Sequence, residues 1–326
     1  AESCRLEVVS ANIRIHPHER ESIVNSELRR WNGRPAAHLP PLLGWLVKER
    51  EFERVLRLVS DKTAASYSAI LPHYLTALRG LGRWGEVKVF LSGRLDPSFP
   101  ATQGRVWLAE AESHLSDDPS TPRHLLNTVF DETGRGENMA AAIKSAEMAE
   151  SLGFWDLSCR FYEGVAKKNA GAAQSMLLKA LEMAQKETNG VAMLRFSEEL
   201  LRLKPTDVVY LDRASYLRLI LGTDIELAMR DLNAIRGGPQ HHITPDRQVA
   251  LAFLRALAAY RDARYNDIAA ELDLVKSCDT FPAGARAVYA GLLAITGNQS
   301  VAYQVAEKVP VTLLLPEERR FLFRAL

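Results

Sequence analysis

The chain has 326 residues with 41 Lys and Arg against 40 Asp and Glu, a formal net charge of +1. That balance argues against an electrostatic design for nucleic acid, and 47% hydrophobic with 25% charged residues argues against a disordered chain. Three widely separated cysteines, Cys4, Cys159 and Cys278, with no CxxC, speak against a disulfide framework or a zinc-thiolate centre.

In chain order, residues 1–18 read as an extended arm. Leu6, Val8, Ile13 and Ile15 fall partly at spacing two with polar neighbours, up to His16-Pro17. A short helix is expected over about 19–31, stopped by Asn32-Gly33-Arg34-Pro35. The first domain is therefore set at 1–35.

From residue 36 onward helical segments alternate with short turns. Eight hairpins are expected, at about 37–60, 65–94, 101–132, 137–169, 172–203, 207–236, 245–276 and 283–308. Their turns are marked by Glu51-Phe52, Gly82-Arg83-Trp84, Asp117-Asp118-Pro119, Gly153-Phe154-Trp155, Asn189-Gly190, Gly222-Thr223-Asp224, Ala263-Arg264-Tyr265 and Gly297-Asn298. Residues 310–326 hold a capping helix that starts at Pro316, with Glu317 and Glu318 favourable beside its N-terminus. No run is long and apolar enough for a membrane span. A chain that begins at Ala1 leaves room upstream for a leader or an anchor, so both a cytoplasmic and a membrane-tethered placement stay open.

The marker positions recur at a common interval. Phe52 to Trp84 is 32 residues, Trp84 to Trp155 is 71, Trp155 to Tyr265 is 110 and Tyr265 to Gln299 is 34, which are one, two, three and one steps of similar length. A period in the mid-thirties means stacked helical hairpins. The fold class expected is all-α, a right-handed α-α superhelix over residues 36–309.

These hairpins resemble tetratricopeptide repeats. Ala146, Ala256 and Ala290 stand at the family's small position in the first helix, and Ser158 and Ala302 at the one in the second. Trp84, Trp155 and Tyr265 match the aromatic after the turn, where the resemblance implies burial between hairpins. Leu203-Lys204-Pro205 and Leu95-Asp96-Pro97 resemble the closing of a unit. Leu75, Val87 and Ile268 depart from the pattern, and hairpins three, five and six fit it loosely.

No motif for chemistry stands out. HExxH, GxxxxGK[ST] and GxSxG are absent. His16-Pro17-His18-Glu19 supplies at most three metal ligands in a solvated loop, and His241-His242 sits in a Gly/Pro turn. Glu132-Thr133-Gly134-Arg135-Gly136-Glu137 reads as a loop. Arg29, Arg30, Arg34, Lys48, Arg50, Arg54 and Arg57 interleave with Glu27, Glu49, Glu51 and Glu53, a pattern for surface ion pairs.

The expectation is thus a non-catalytic scaffold, with no metal and no cofactor, that binds a protein or peptide and no nucleic acid, and has no membrane span within this chain. The resemblance puts first-helix residues on a concave face, here Thr76 and Arg79 in hairpin two and Phe253, Leu257, Tyr260 and Arg261 in hairpin seven. A second reading is a structural or assembly subunit tethered to a membrane through an upstream anchor.

Overall fold

A computed structural model describes residues 2–93, 99–133, 138–237, 244–275 and 277–326. Among the described residues every regular element is a helix, and consecutive helices pack on one another. The chain divides into two compact units, residues 1–148 and 149–326.

The first unit opens with a helix rather than an extended arm. Helix α1 runs Glu2–Ile15 and buries Leu6, Ser10 and Ile13, positions spaced four and three apart on one face. Val8 and Ile15, which suggested alternation, are 68% and 70% exposed. The arm is therefore corrected to a docked amphipathic helix. Helix α2, Arg20–Trp31, follows a 3-10 turn at Pro17–Glu19. Ser10 ties α1 down: its hydroxyl accepts from Trp45 Nε1 at 2.9 Å and donates to Glu49 Oε1 at 2.6 Å. Trp45 and Glu49 belong to α3, Pro40–Lys48, and its C-cap.

After α3 come α4 (Phe52–Leu58), a short α5 (Asp61–Ser66), α6 (Leu71–Gly80) and α7 (Trp84–Ser92). Helix α5 was not expected. Ser60 caps it by accepting the Thr63 N–H at 3.2 Å. Helices α8 (Ala101–Leu115), α9 (Ser120–Thr133) and α10 (Met139–Ser151) complete the run to the boundary. The second unit contains α11 (Trp155–Lys168), α12 (Ala173–Lys186), α13 (Gly190–Leu203), α14 (Val208–Leu221), α15 (Ile225–Gly237), α16 (Pro245–Arg261), α17 (Tyr265–Leu272), α18 (Ala283–Ile295), α19 (Gln299–Ala306) and α20 (Pro316–Ala325).

One turn geometry recurs. Arg50, Gly82, Gly153, Thr188, Ala263 and Gly297 all have positive φ and all stand two residues before the next helix. In each case the following N–H reaches back five residues, as from Arg83 to Leu78 O at 2.9 Å and from Arg264 to Ala259 O at 2.8 Å. This is the Schellman ending of a helix, which satisfies carbonyls that would otherwise be left open. Repetition of the same stop at the same place gives the architecture its repeat-like character.

The small positions carry the packing. Ala146, Ala256, Ala290, Ser158 and Ala302 are all fully buried, as are the larger Leu75, Val87 and Ile268 that stand in for small residues. Helices also meet their second neighbours: α6 packs on α4, α14 on α16, and α16 on α18. Trp84 and Trp155 are half-buried, but Tyr265 is 56% exposed, so the expected burial of all three aromatics fails at hairpin seven. Its ring meets Tyr260 edge-on, 6.2 Å between centroids. Helix α20 lies against α18 and α14. Its close approach to α18 uses Gly284 and Gly291, seven residues apart on one face, where a Cβ would overlap the Glu318 carboxyl and press on the Phe321 ring.

Candidate functional site

The candidate site is a partly open cavity of about 670 Å³ within the second unit. Its walls come from α12, α14, α16 and the start of α18, the first helices of hairpins five to eight, and from residues 312–318. Phe253, Phe281, Leu254, Met193, Leu217 and Leu315 form much of the apolar surface. Phe253 stacks obliquely on Phe281 at 5.0 Å and on Tyr216 at 6.1 Å, which fixes three rings together.

Polar groups on this wall are few and specific. Glu318 is only 4% exposed. Its Oε1 accepts from the Tyr216 hydroxyl at 2.6 Å and its Oε2 from the Leu315 N–H at 2.8 Å. The second bond places the carboxyl at the start of α20, which is why a glutamate three residues past the N-cap is needed there. Burial pushes the Glu318 carboxyl above its ordinary value, and the two hydrogen bonds offset part of that. Burial, followed by the nearby Glu318 charge, drives the Tyr216 phenol well upward, so it stays a donor.

Asp212 lines the same cavity. Burial raises its carboxyl, against a weaker opposing pull from Arg247. Arg247 Nη2 stands 3.8 Å from Oδ1, beyond hydrogen-bond reach, and Oδ1 has no hydrogen-bond partner among the described residues. At the rim Lys186 is committed to Glu150 at 3.1 Å and Glu182 at 3.5 Å, and lies 4.7 Å over the Trp155 ring.

Replacing Glu318 by glutamine tests this burial. Because its folded-state value is raised, the stability the protonated carboxyl contributes is present below the ordinary value of 4.5 and is lost as pH rises through the raised one. Thermal melts of the wild type and E318Q should show wild type losing ground to the variant as pH rises from 4 to 8. A gap that moves in favour of wild type would mean the charged form is the one the fold prefers.

The residues expected on a partner face scatter. Phe253 lines the cavity. Leu257, on the same helix, has no exposed surface and belongs to the core. Tyr260 packs edge-on against Phe321 at 5.0 Å. Arg261 donates through Nε to Leu219 O and through Nη2 to Ile220 O, each at 2.6 Å, and so closes the last carbonyls of α14. Burial lowers the pKa of its guanidinium. Leu257 therefore has no surface to offer a partner, which corrects its assignment, while Arg261 is partly buried and spends two of its donors on α14. Thr76 and Arg79 lie in the other unit. Thr76 donates to Pro72 O at 2.6 Å, and Arg79 pairs with Glu110 at 2.5 Å over the Trp107 ring.

Sequence reasoning missed Asp212, Tyr216 and Glu318. The only signal was Glu318 three residues after Leu315 at a helix start, which reads as a cap and not as a cavity wall.

The arrangement has room for a ligand and carboxyls that can hold a proton, and no Ser, Cys or His is among its described lining residues. Cys159 is buried, donates to Ala180 O at 3.0 Å, and burial pushes its thiol up to about 12. His16, His18 and Glu19 are the one group of metal-ligand type among the described residues, with ligand atoms within 4.8 Å of one another, and all three are exposed. His241-His242, residues 134–137 of the Gly loop and Leu95-Asp96-Pro97 lie outside the described residues. Of the basic cluster, Lys48 pairs with Glu7 at 2.8 Å, Arg54 with Glu51 at 3.0 Å, and Arg34 with Glu2. No described helix is long and apolar enough to cross a membrane. Comparison with protein-family models finds none that matches the chain, and comparison with curated proteins finds no significant relative.

Proposed function

We propose that the chain is a tetratricopeptide-like binding protein, its hairpins stacked in a right-handed superhelix that holds a polypeptide on its concave side and carries out no reaction. The observation that supports this most is where the cavity falls. Most of its wall comes from the first helices of four consecutive hairpins, the helices that the repeat resemblance assigns to the inner face, with Met193 of α13 and residues 312–318 closing it. An apolar cavity with a few convergent polar groups is the usual form of a recognition site, and clustered aromatics are the usual anchors of binding energy. The polar groups on its wall are suited to holding a partner.

Site-specific photo-cross-linking in the source cells tests the reading. A benzoylphenylalanine at Lys186 or Leu313, both on the cavity lining, should give a discrete polypeptide adduct. The same probe at Val191, 70% exposed and outside the cavity, should not. Adducts that are absent from the lining positions, or equal at all three, would count against a polypeptide held there.

A further inference from the structure

We infer that the cavity of the second unit receives a basic side chain of the partner polypeptide, a lysyl ammonium on its aliphatic stem. This rests on the proposed function for its source, and on the cavity's own chemistry for its charge. The walls supply what an aliphatic stem needs, with Leu254, Met193 and Leu315 beside the three rings. Tyr216, Phe253 and Phe281 present π faces, which attract a cation electrostatically.

The balance of unspent charge sets the sign. Asp212 and Glu318 both face the cavity, and neither has a cation within hydrogen-bond reach. A buried carboxylate with no hydrogen-bonded cation is costly, and an incoming ammonium would offset that cost. Of the two cations on the lining, Lys186 is already paired, as described above. Arg213 is the one cationic lining residue with no ion pair among the described residues. Against it stand two carboxyls with no hydrogen-bonded cation, Asp212 and Glu318, so the wall favours a positive occupant, and Arg213 is left to meet a partner carbonyl. A fatty acid or other carboxylate would bring a third acid beside Asp212 and Glu318. A purely apolar occupant would offer Asp212 no donor, and its buried Oδ1 already lacks one.

The experiment uses the full chain and three six-carbon probes at pH 7, n-hexylamine, hexan-1-ol and hexanoate, with affinities read by calorimetry or NMR titration. The expected order is amine, then alcohol, then carboxylate. Asp212→Asn should weaken hexylamine roughly tenfold and leave hexanol unchanged, the loss of one charge-assisted hydrogen bond. Arg213→Ala should leave hexylamine binding intact or improve it. Phe253→Leu keeps the apolar volume and should still lower hexylamine more than hexanol, which tests the charge preference even if D212N loses helix. Two short peptides, acetyl-Gly-Lys-Gly-amide and its Nε-acetyl-lysine counterpart, then test the source, with binding expected only from the first. Hexanoate as the tightest probe, lost in R213A, would overturn the inference and make this an anion site. Equal binding of amine and alcohol, or no binding by any probe, would also overturn it. Amine binding without lysyl-peptide binding would overturn the lysyl source. The cross-linking result stands apart from all of these, so a polypeptide partner that inserts no cation would be recognised as such.

Discussion

Arg218→Ala should destabilise the second unit by about 3 kcal/mol in chemical denaturation, among the largest single-residue losses expected in this chain. The Arg218 side chain is 5% exposed and reaches Glu198 Oε1 with Nε and Nη2, at 3.1 and 2.9 Å, and Asp231 Oδ2 with Nη1 at 2.8 Å. One guanidinium thus joins α13, α14 and α15. Alanine leaves two partly buried carboxylates facing each other with nothing between them, together with the space the side chain filled. Both acids keep some contact with solvent, 26% and 19%, which holds the figure at the lower end for a broken buried pair. A loss under about 1 kcal/mol, the size of an exposed ion pair, would show that water screens the cluster.

Gly284→Ala should cost about 1–3 kcal/mol, although alanine normally favours a helix. The methyl would overlap the Glu318 carboxyl, and that carboxyl cannot step aside freely. Tyr216 and the Leu315 N–H hold its two oxygens. Either α20 lifts from α18 or both hydrogen bonds are lost. Gly85→Ala is the matched control. That glycine has nothing within 4 Å of a new Cβ and stands in α7, so the change should stabilise by about 0.5–1 kcal/mol. If both substitutions shift the melting temperature the same way, the contact between Gly284 and Glu318 carries no strain.

The hairpins were legible because their causes are local. Gly82, Gly153 and Gly297 announce a left-handed residue, and the next helix starts two positions later. Arg50, Thr188 and Ala263 do the same work without a glycine, and there the period had to supply what the residue type did not. The first helix was misread because Val8 and Ile15, its two exposed apolar residues, completed a false alternation. Ser10 sits on the buried face, and only Trp45 and Glu49, more than thirty positions on, explain it. The cavity was illegible for the same reason. Its walls are ordinary packed helices, and what completes a site between them is a carboxyl delivered from a distant stretch of chain. Arg261 shows the converse: beside Tyr260 it looked like a binding pair, but two carbonyls of a helix some forty residues earlier had already claimed it.

That delivery has a consequence for how the molecule is made. Helices that pack on their chain neighbours can settle as they leave the ribosome, in the order of synthesis. The bond between Tyr216 and Glu318 spans 102 residues and cannot form until the last helix has emerged. Until then the nascent chain carries Phe253, Phe281 and Asp212 on an unfinished wall. The cavity is therefore completed late and at once, when α20 brings in Glu318, and a nascent chain stopped a few codons short of that residue would carry the helices of the wall without the carboxyl that closes it.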